Sequence, residues 1–244
     1  MNSTLAHALE AHGGLENWKR HRHLSLVAVN GGVLWPMKHQ ADYAESPVGL
    51  SFDLDAQVAR HADFVEAGLR TEVSPQRVAI FAKDGRLLEE RRSPRLSFEG
   101  HTFETPWDRV QLAYFSGYAM WSYLNTPFLL AEPDFVVEDA PSWFEGKDEW
   151  KAIEVTFPER LAYHAKKQLY YFDHEGLLRR HDYDVDIAKG ARGAHTMHDY
   201  AVFDGIRIAQ HHVVRVPGAD NVPMAEPIIV DVRLSHIAFG EVSR

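Results

Sequence analysis

The sequence predicts an α+β protein whose core is one strongly curved antiparallel β-sheet, a half-barrel. An N-terminal helix and a central aromatic helix should cover its concave face. Three observations support this: short strand-like segments fill most of the 244 residues, Asp-Gly and similar turn residues join them, and two helical segments interrupt them. One curved sheet is more economical than two domains, so we expect residues 1–244 to form a single half-barrel domain.

The N-terminal half begins with a short predicted helix over residues 3–11, which Gly13-Gly14 should end. A strand over residues 23–32 follows. Residues 34–45 also have strand character, with Pro36 indicating an edge or a bend. Further strand-like segments are VGLSFDL (48–54), HADFVEAGLRTEVS (61–74) and RVAIFAKDGRLLEERR (77–92), the last with the Asp84-Gly85 chemistry of a tight hairpin.

Residues 106–130, PWDRVQLAYFSGYAMWSYLNTPFLL, interrupt the strand pattern. Their apolar side chains recur at helical spacing and form a wide apolar face. Pro106 suits the first turn of a helix, and Pro127 should stop it. The sequence therefore predicts one long helix in the middle of the chain.

The aromatic side chains of this helix admit two interpretations. Tyr114, Tyr118 and Trp121 are either ordinary core residues or the roof of a ligand cavity, in which Gly117 would leave room for the ligand. Aromatic walls with a few polar groups are typical of small-molecule sites. Trp35 is expected at the mouth of the same cavity.

The C-terminal half predicts hairpins whose turns fix the strand register. Taking residues 188–194 as one loop places Ile187 opposite His195, and the Asp204-Gly205 turn places Met197 opposite His212. Because side chains alternate along a strand, two faces follow. We expect the interior face to carry His181, Tyr183, His195, Met197, Asp199, Gln210 and His212, and the exterior face to carry Asp182, Asp184, Asp186, His198, Tyr200 and His211.

The layout resembles a known fold family. An N-terminal helix ending in GG, then a Trp and a strand, then a middle helix, are followed by W…IEVTFP, LYYFDHEGLLRRHDY and a closing meander. This order is similar to the LolA-like half-barrel of bacterial lipoprotein carriers, and it spans most of the chain. The resemblance implies an unclosed antiparallel barrel with helices lidding an apolar cavity. A shared fold does not by itself imply carrier activity.

Three hypotheses compete for the interior polar cluster. The first is a satisfied structural hydrogen-bond network, since unpaired buried polar groups are costly. The second is acid–base catalysis, with His195 and His212 as proton carriers, Asp199 orienting His181, and Tyr183 and Gln210 holding a polar handle of the substrate. The third is a metal site made of His195 and His212 with His181 or Asp199. Tyr114, Tyr118, Trp121, Trp35 and Met197 would contact the apolar part of the substrate.

Composition narrows the classes of function. A formal net charge of -9, without a block of Lys and Arg, argues against nucleic-acid binding. With no cysteine, the chain has no disulfide, thiolate metal site or Cys nucleophile. We find no signal-peptide pattern and no apolar run long enough to span a membrane, so we expect a cytoplasmic protein without an integral membrane segment. The phosphate-loop, G-x-S-x-G and H-E-x-x-H motifs are absent, so no organic cofactor is expected.

These observations lead to a primary hypothesis and two alternatives. The primary hypothesis is a cytoplasmic, cofactor-independent enzyme of the isomerase, cyclase or lyase type that acts on a hydrophobic small molecule. The first alternative is a non-catalytic carrier or sensor of lipids or other hydrophobic ligands. The second is a metal enzyme with histidine ligands. The sequence leaves the substrate and the oligomeric state open.

Overall fold

The structure is a computed structural model, and it describes residues 1–240. Thirteen strands form one antiparallel sheet in the order β6-β5-β4-β3-β2-β1-β13-β12-β11-β10-β9-β8-β7. The strands are β1 His23–Gly31, β2 Pro47–Asp53, β3 Val58–Ala62, β4 Arg70–Ser74, β5 Arg77–Phe81, β6 Leu87–Arg92, β7 Val136–Glu145, β8 Asp148–Thr156, β9 Lys167–Phe172, β10 Leu178–Val185, β11 Ala191–Phe203, β12 Ile206–Pro217 and β13 Pro223–Gly240.

The sheet is open, and its first strand, β1, lies in the middle of the strand order. From β1 the strands run outward to β6 at one edge. The chain then crosses to β7 at the opposite edge and meanders back until β13 pairs with β1. Within the described part of the chain, β6 and β7 have no strand on their outer sides, so the barrel does not close. The fold is therefore the α+β curved half-barrel that the sequence predicts.

In the described residues, four α-helices accompany the sheet: α1 Ser3–Ala11, α2 Leu15–Trp18, α3 Leu34–Met37 and α4 Arg109–Asn125. Helix α1 lies where the sequence predicts it, and the side chain of Asn2 caps its N-terminus by accepting from the amide of Leu5. Helix α4 starts later than Pro106. Its N-cap is Asp108, which forms a capping box with Gln111.

Two segments predicted as strands are not strands. Residues 34–45 contain α3 and a 3₁₀ turn at Ala41–Tyr43, because Pro36 lies in the first turn of a helix, where its missing N–H costs nothing. Residues 63–69 form a loop between β3 and β4. Positive φ angles at Asp63 and Val65 break the extended conformation there.

Alternation of side chains places the core on the concave face. In β1 the buried positions are Leu24, Leu26, Ala28 and Asn30, with the intervening residues more exposed. Helix α4 lies over this face and packs against β3, β4 and β5. Gly117 of α4 does not leave room for a ligand. A Cβ there would lie 2.9 Å from a methyl of Val73, so this glycine allows the helix to approach β4 closely.

The hairpin between β10 and β11 has the predicted polarity but a different register. His181 pairs with His195 and Tyr183 with Gly193, whereas we expected Ile187 opposite His195. The loop is shorter than expected because a 3₁₀ turn at Asp186–Ala188 leads into Lys189 in the left-handed conformation. The register differs by an even number of residues, so the interior face is unchanged. The next hairpin pairs Met197 with His212 as predicted.

Three predicted positions in this region are wrong. Asp199 has φ of 56°, which breaks the alternation of β11, and its side chain is 67% exposed. Tyr200, expected outside, is half-buried and bonds the carbonyl of Leu178 instead. Asp182 was expected at the solvated face, yet it is 7% exposed in an ion pair with fully buried Arg180. Asp184 and Asp186 are exposed as predicted.

Candidate functional site

An apolar cavity lies between α4 and the concave face of the sheet. Its volume is about 280 Å³, slightly below the usual range of about 300–1,000 Å³ for ligand sites. Strands β10 to β13 form its floor, and α3 with Asn30 of β1 forms one end. Lining side chains from the sheet include Tyr183, Val185, Val214, Val216, Ile229 and Val232.

A different face of α4 lines this cavity than the sequence indicated. Phe115, Ser116, Ala119, Met120 and Tyr123 contact it, as does Trp35 of α3. Tyr114, Tyr118 and Trp121 do not, although they are buried in the core. The reason is that α4 is buried almost all round, so its apolar pattern cannot show which face meets the cavity.

One end of the cavity carries a buried cation. The side chain of Lys38 has no exposed surface. Its ammonium donates to the carbonyl oxygens of Thr102, Phe103 and Thr105, and it lies 4.7 Å from the centre of the Trp107 ring. Burial lowers the pKa of Lys38 to about 8. Its hydrogen-bond acceptors among the described residues are thus backbone carbonyls, and the exposed carboxylate of Glu104 acts on it through its charge, which opposes the lowering of the pKa.

Unpaired donors lie among the residues of the same wall. Trp107 Nε1 and Asn30 Nδ2 are buried and make no hydrogen bond of normal length within residues 1–240, although the Asn30 amide lies near enough to the Tyr43 hydroxyl to act on its pKa. Both residues line the cavity. Buried donors are nearly always paired in native proteins, and an unpaired one costs roughly 1–3 kcal/mol. These two N–H groups therefore mark the wall as a place where an acceptor group would be favourable.

Below the cavity lies a cluster of buried histidines and tyrosines. His212 Nε2 donates to the carbonyl of Ala209, so its Nδ1 accepts from His195 Nε2 at 2.9 Å. The hydroxyls of Tyr123 and Tyr183 are 2.6 Å apart, and Tyr123 also bonds His164 Nε2 at 2.9 Å. Tyr123 lines both this cluster and the apolar cavity.

Burial keeps these histidines neutral. Desolvation lowers the pKa of His212 to about 4 and that of His164 to about 3. Desolvation, together with the neighbouring His212, holds the pKa of His195 well below its usual value. His181 is affected in the same way, and its Nε2 donates to Gln168 Oε1 at 2.6 Å. No carboxylate bonds any of these imidazoles among the described residues.

The space beside the histidines is small. His181, His195, Met197 and His212 line a separate pocket of about 30 Å³. That volume suits one or two water molecules rather than an organic substrate, since a water molecule occupies about 30 Å³ of the liquid. The predicted proton carriers therefore do not face the larger cavity.

Other predicted site residues are not brought to this cluster. Asp199 lies on the exterior, 3.8 Å from His211 Nδ1, and cannot orient His181. Gln210 donates to the carbonyl of Leu234 and lines neither the apolar cavity nor the pocket. Within residues 1–240, no three or more His, Asp or Glu side chains are arranged to hold a metal ion.

Sequence reasoning missed a second hydroxyl–imidazole pair, Ser116 and His61, next to the cavity. Ser116 Oγ lies 3.0 Å from His61 Nε2, and it donates its own proton to the carbonyl of Leu112. His61 Nε2 is therefore the donor in this pair, and its Nδ1 accepts from the hydroxyl of Thr71. This proton arrangement is opposite to that of an activated serine nucleophile.

Sequence reasoning also missed Lys38, Trp107 and Asn30. Lys38 binds carbonyls 64 to 67 residues further along the chain, and no local spacing encodes such contacts. A weak signal was available in Asn30, a polar residue at an inward position of an otherwise apolar strand face.

Comparison with solved structures identifies the fold. A LolA superfamily protein from Nitrosomonas europaea aligns over 96% of this chain and 93% of its own, with a TM-score of 0.53 and 8% identity. A DUF1329 family protein from Desulfovibrio piger aligns over 99% and 93%, with a TM-score of 0.52 and 9% identity. A domain described as an outer membrane lipoprotein-sorting protein, from Vibrio parahaemolyticus, aligns over 96% and 95%, with a TM-score of 0.50 and 10% identity.

The chain thus has a LolA-like fold, as the sequence layout predicts. At these identities the likeness concerns the fold alone. No family model matches the sequence, and a search of curated proteins found no match. Among the described residues, none of the helices has the length and apolar character needed to cross a membrane.

Proposed function

We propose that this protein is a non-catalytic carrier or sensor that binds one apolar small molecule or lipid chain inside the half-barrel. The observation that carries the proposal is the cavity of about 280 Å³ under α4, whose walls are almost entirely aliphatic and aromatic. The likeness to a LolA superfamily protein and to a lipoprotein-sorting domain supports the same class of ligand.

The placement of the histidines favours a carrier over the acid–base enzyme. His195 and His212 bond each other beside a pocket too small for a substrate, and their lowered pKa values keep them neutral at physiological pH. The carboxylate that was to orient His181 lies at the surface. An isomerase or lyase reaction would need these groups at the substrate.

Filling the cavity should abolish binding. Ala119 of α4 is 5% exposed and lines the cavity, so Ala119→Phe would place a phenyl ring in the ligand's space. We expect at least a tenfold loss of affinity for an apolar probe such as 1-decanol, measured by calorimetry, since about 1.4 kcal/mol corresponds to a factor of ten.

The matched control is Ala67→Phe, the same change at an exposed loop residue outside the cavity. This control should bind 1-decanol like the wild type. Equal binding by Ala119→Phe and the wild type, with both folded, would place the ligand elsewhere and contradict the proposal. Replacing His195 by Gln should leave binding intact.

A further inference from the structure

We propose that the ligand is an amphiphile with an anionic head, specifically a medium-chain carboxylate, whose head binds at the end of the cavity formed by Lys38 and Trp107. This inference rests on the proposed function, since it names the class of molecule that the same cavity binds. It follows from the charge, the unpaired donors and the size of the cavity.

The charge of the lining is opposite to that of the whole protein. The chain carries a formal net charge of -9, yet the charged residues that line the cavity are Lys38 and Arg192. Within the part of the chain that the structure describes, no Asp or Glu lines it. Lys38 bonds carbonyl oxygens, and Glu104, the carboxylate whose charge acts on it, is exposed and makes no hydrogen bond to it. The buried charge is thus only partly compensated, so an anion entering that enclosure gains free energy.

Two hydrogen-bonding groups at this end of the cavity are N–H donors that make no hydrogen bond of normal length among the described residues. Among residues 1–240, Trp107 Nε1 has no hydrogen-bond partner, and the Trp107 ring is the one that lies 4.7 Å from Lys38 Nζ. Asn30 Nδ2 of the same lining likewise makes no hydrogen bond of normal length within those residues. A carboxylate offers two acceptor oxygens and no proton, which matches a cation and N–H donors.

The volume limits the length of the chain. A space of about 280 Å³ is slightly smaller than most ligand sites, which measure about 300–1,000 Å³. A single medium-length chain suits such a space, whereas the paired long chains of a phospholipid do not. The remaining walls, including Val214, Ile229 and Val232, are aliphatic and suit such a chain.

The test compares decanoate with 1-decanol, which share a chain length and differ in the head group. At neutral pH the wild-type protein should bind decanoate at least tenfold more tightly than 1-decanol in calorimetric titrations. Equal affinities, or a preference for the alcohol, would overturn the anionic head while leaving the proposed function standing. Failure of both ligands to bind would overturn both.

The decisive variant is Trp107→Phe, which keeps an aromatic ring and removes an N–H that has no partner among the described residues. No hydrogen bond among those residues is lost, but the smaller buried ring leaves a void that costs some stability, so circular dichroism checks that the variant is folded. Its affinity for decanoate should fall about tenfold or more, as expected for a bond to a charged group, with 1-decanol binding unchanged. An unchanged decanoate affinity would contradict the inference.

Lys38→Met provides the second variant, since it removes the charge and keeps most of the aliphatic side chain. It also leaves the carbonyls of Thr102, Phe103 and Thr105 without their donor, so its folding is checked by circular dichroism. The folded variant should bind the two ligands with similar affinity. A retained preference for decanoate would show that Lys38 does not recognise the head.

Discussion

Lowering the pH from about 6.5 toward 4 should unfold this protein steeply. Burial lowers the pKa of His12 and His212 to about 4, and that of His61 and His164 to about 3, from the ordinary histidine value of about 6.5. Between these two pKa ranges, the histidines are therefore protonated in the unfolded chain and neutral in the folded chain. The stability from these groups is complete above about pH 6.5 and is lost as the pH falls toward their folded pKa values.

We expect the free energy of unfolding to change steeply with pH. Each such histidine contributes up to about 1.4 kcal/mol per pH unit, so four contribute up to ~5 kcal/mol per unit, against a typical total stability of ~5–15 kcal/mol. Urea unfolding measured across this pH range tests the expectation. His212→Gln should reduce the dependence of the free energy of unfolding on pH by about 1.4 kcal/mol per pH unit, the equivalent of one bound proton. The same change at the exposed His236 serves as the control. A midpoint that stays constant over the range would contradict the buried, neutral state of the cluster.

Removing the carboxylate of Asp182 should destabilise the fold by about 3–5 kcal/mol, because it leaves a buried cation without its partner. Arg180 Nε and Nη2 donate to the two oxygens of Asp182 at 2.6 and 2.8 Å. Tyr171 and Asn221 donate to the same carboxylate, and Arg180 has no exposed surface. Asp182→Ala is the test, measured by urea unfolding at neutral pH.

Asp184→Ala offers a matched control two residues further along β10, where the side chain is exposed. Its effect should stay within about 0.5 kcal/mol. The double replacement Arg180→Met with Asp182→Leu removes both charges and should recover much of the loss, as apolar substitutes for buried ion pairs often do. Similar losses for Asp182→Ala and Asp184→Ala would contradict this account of the ion pair.

The sequence was sufficient to predict the architecture because strand periodicity and turn chemistry are local. The inward direction of His195 and His212 follows from the period of two, which survives an even error in register. The error at Asp199 arose because a single residue with positive φ interrupts the alternation of side chains along β11. An aspartate in the sequence does not by itself predict that conformation.

The position of the cavity was harder to predict because it depends on long-range packing. Helix α4 is buried on almost every side, so its sequence does not distinguish Tyr118, which bonds His164, from Ala119, which faces the cavity. The environment of Lys38 depends on carbonyls contributed by a distant loop. The alternation of residues along the strands predicts which face of the sheet is buried. It does not predict where a cavity remains beneath the covering helix.

The central claim, that the space under α4 binds an apolar chain, can be tested directly by nuclear magnetic resonance of methyl-labelled methionines. The chain has five methionines, of which Met120 lines the cavity and Met224 is 42% exposed on β13. Titration with 1-decanol should shift the Met120 methyl resonance saturably and leave that of Met224 in place. A saturable shift at Met224 with none at Met120, or no saturable shift at either, would contradict the claim.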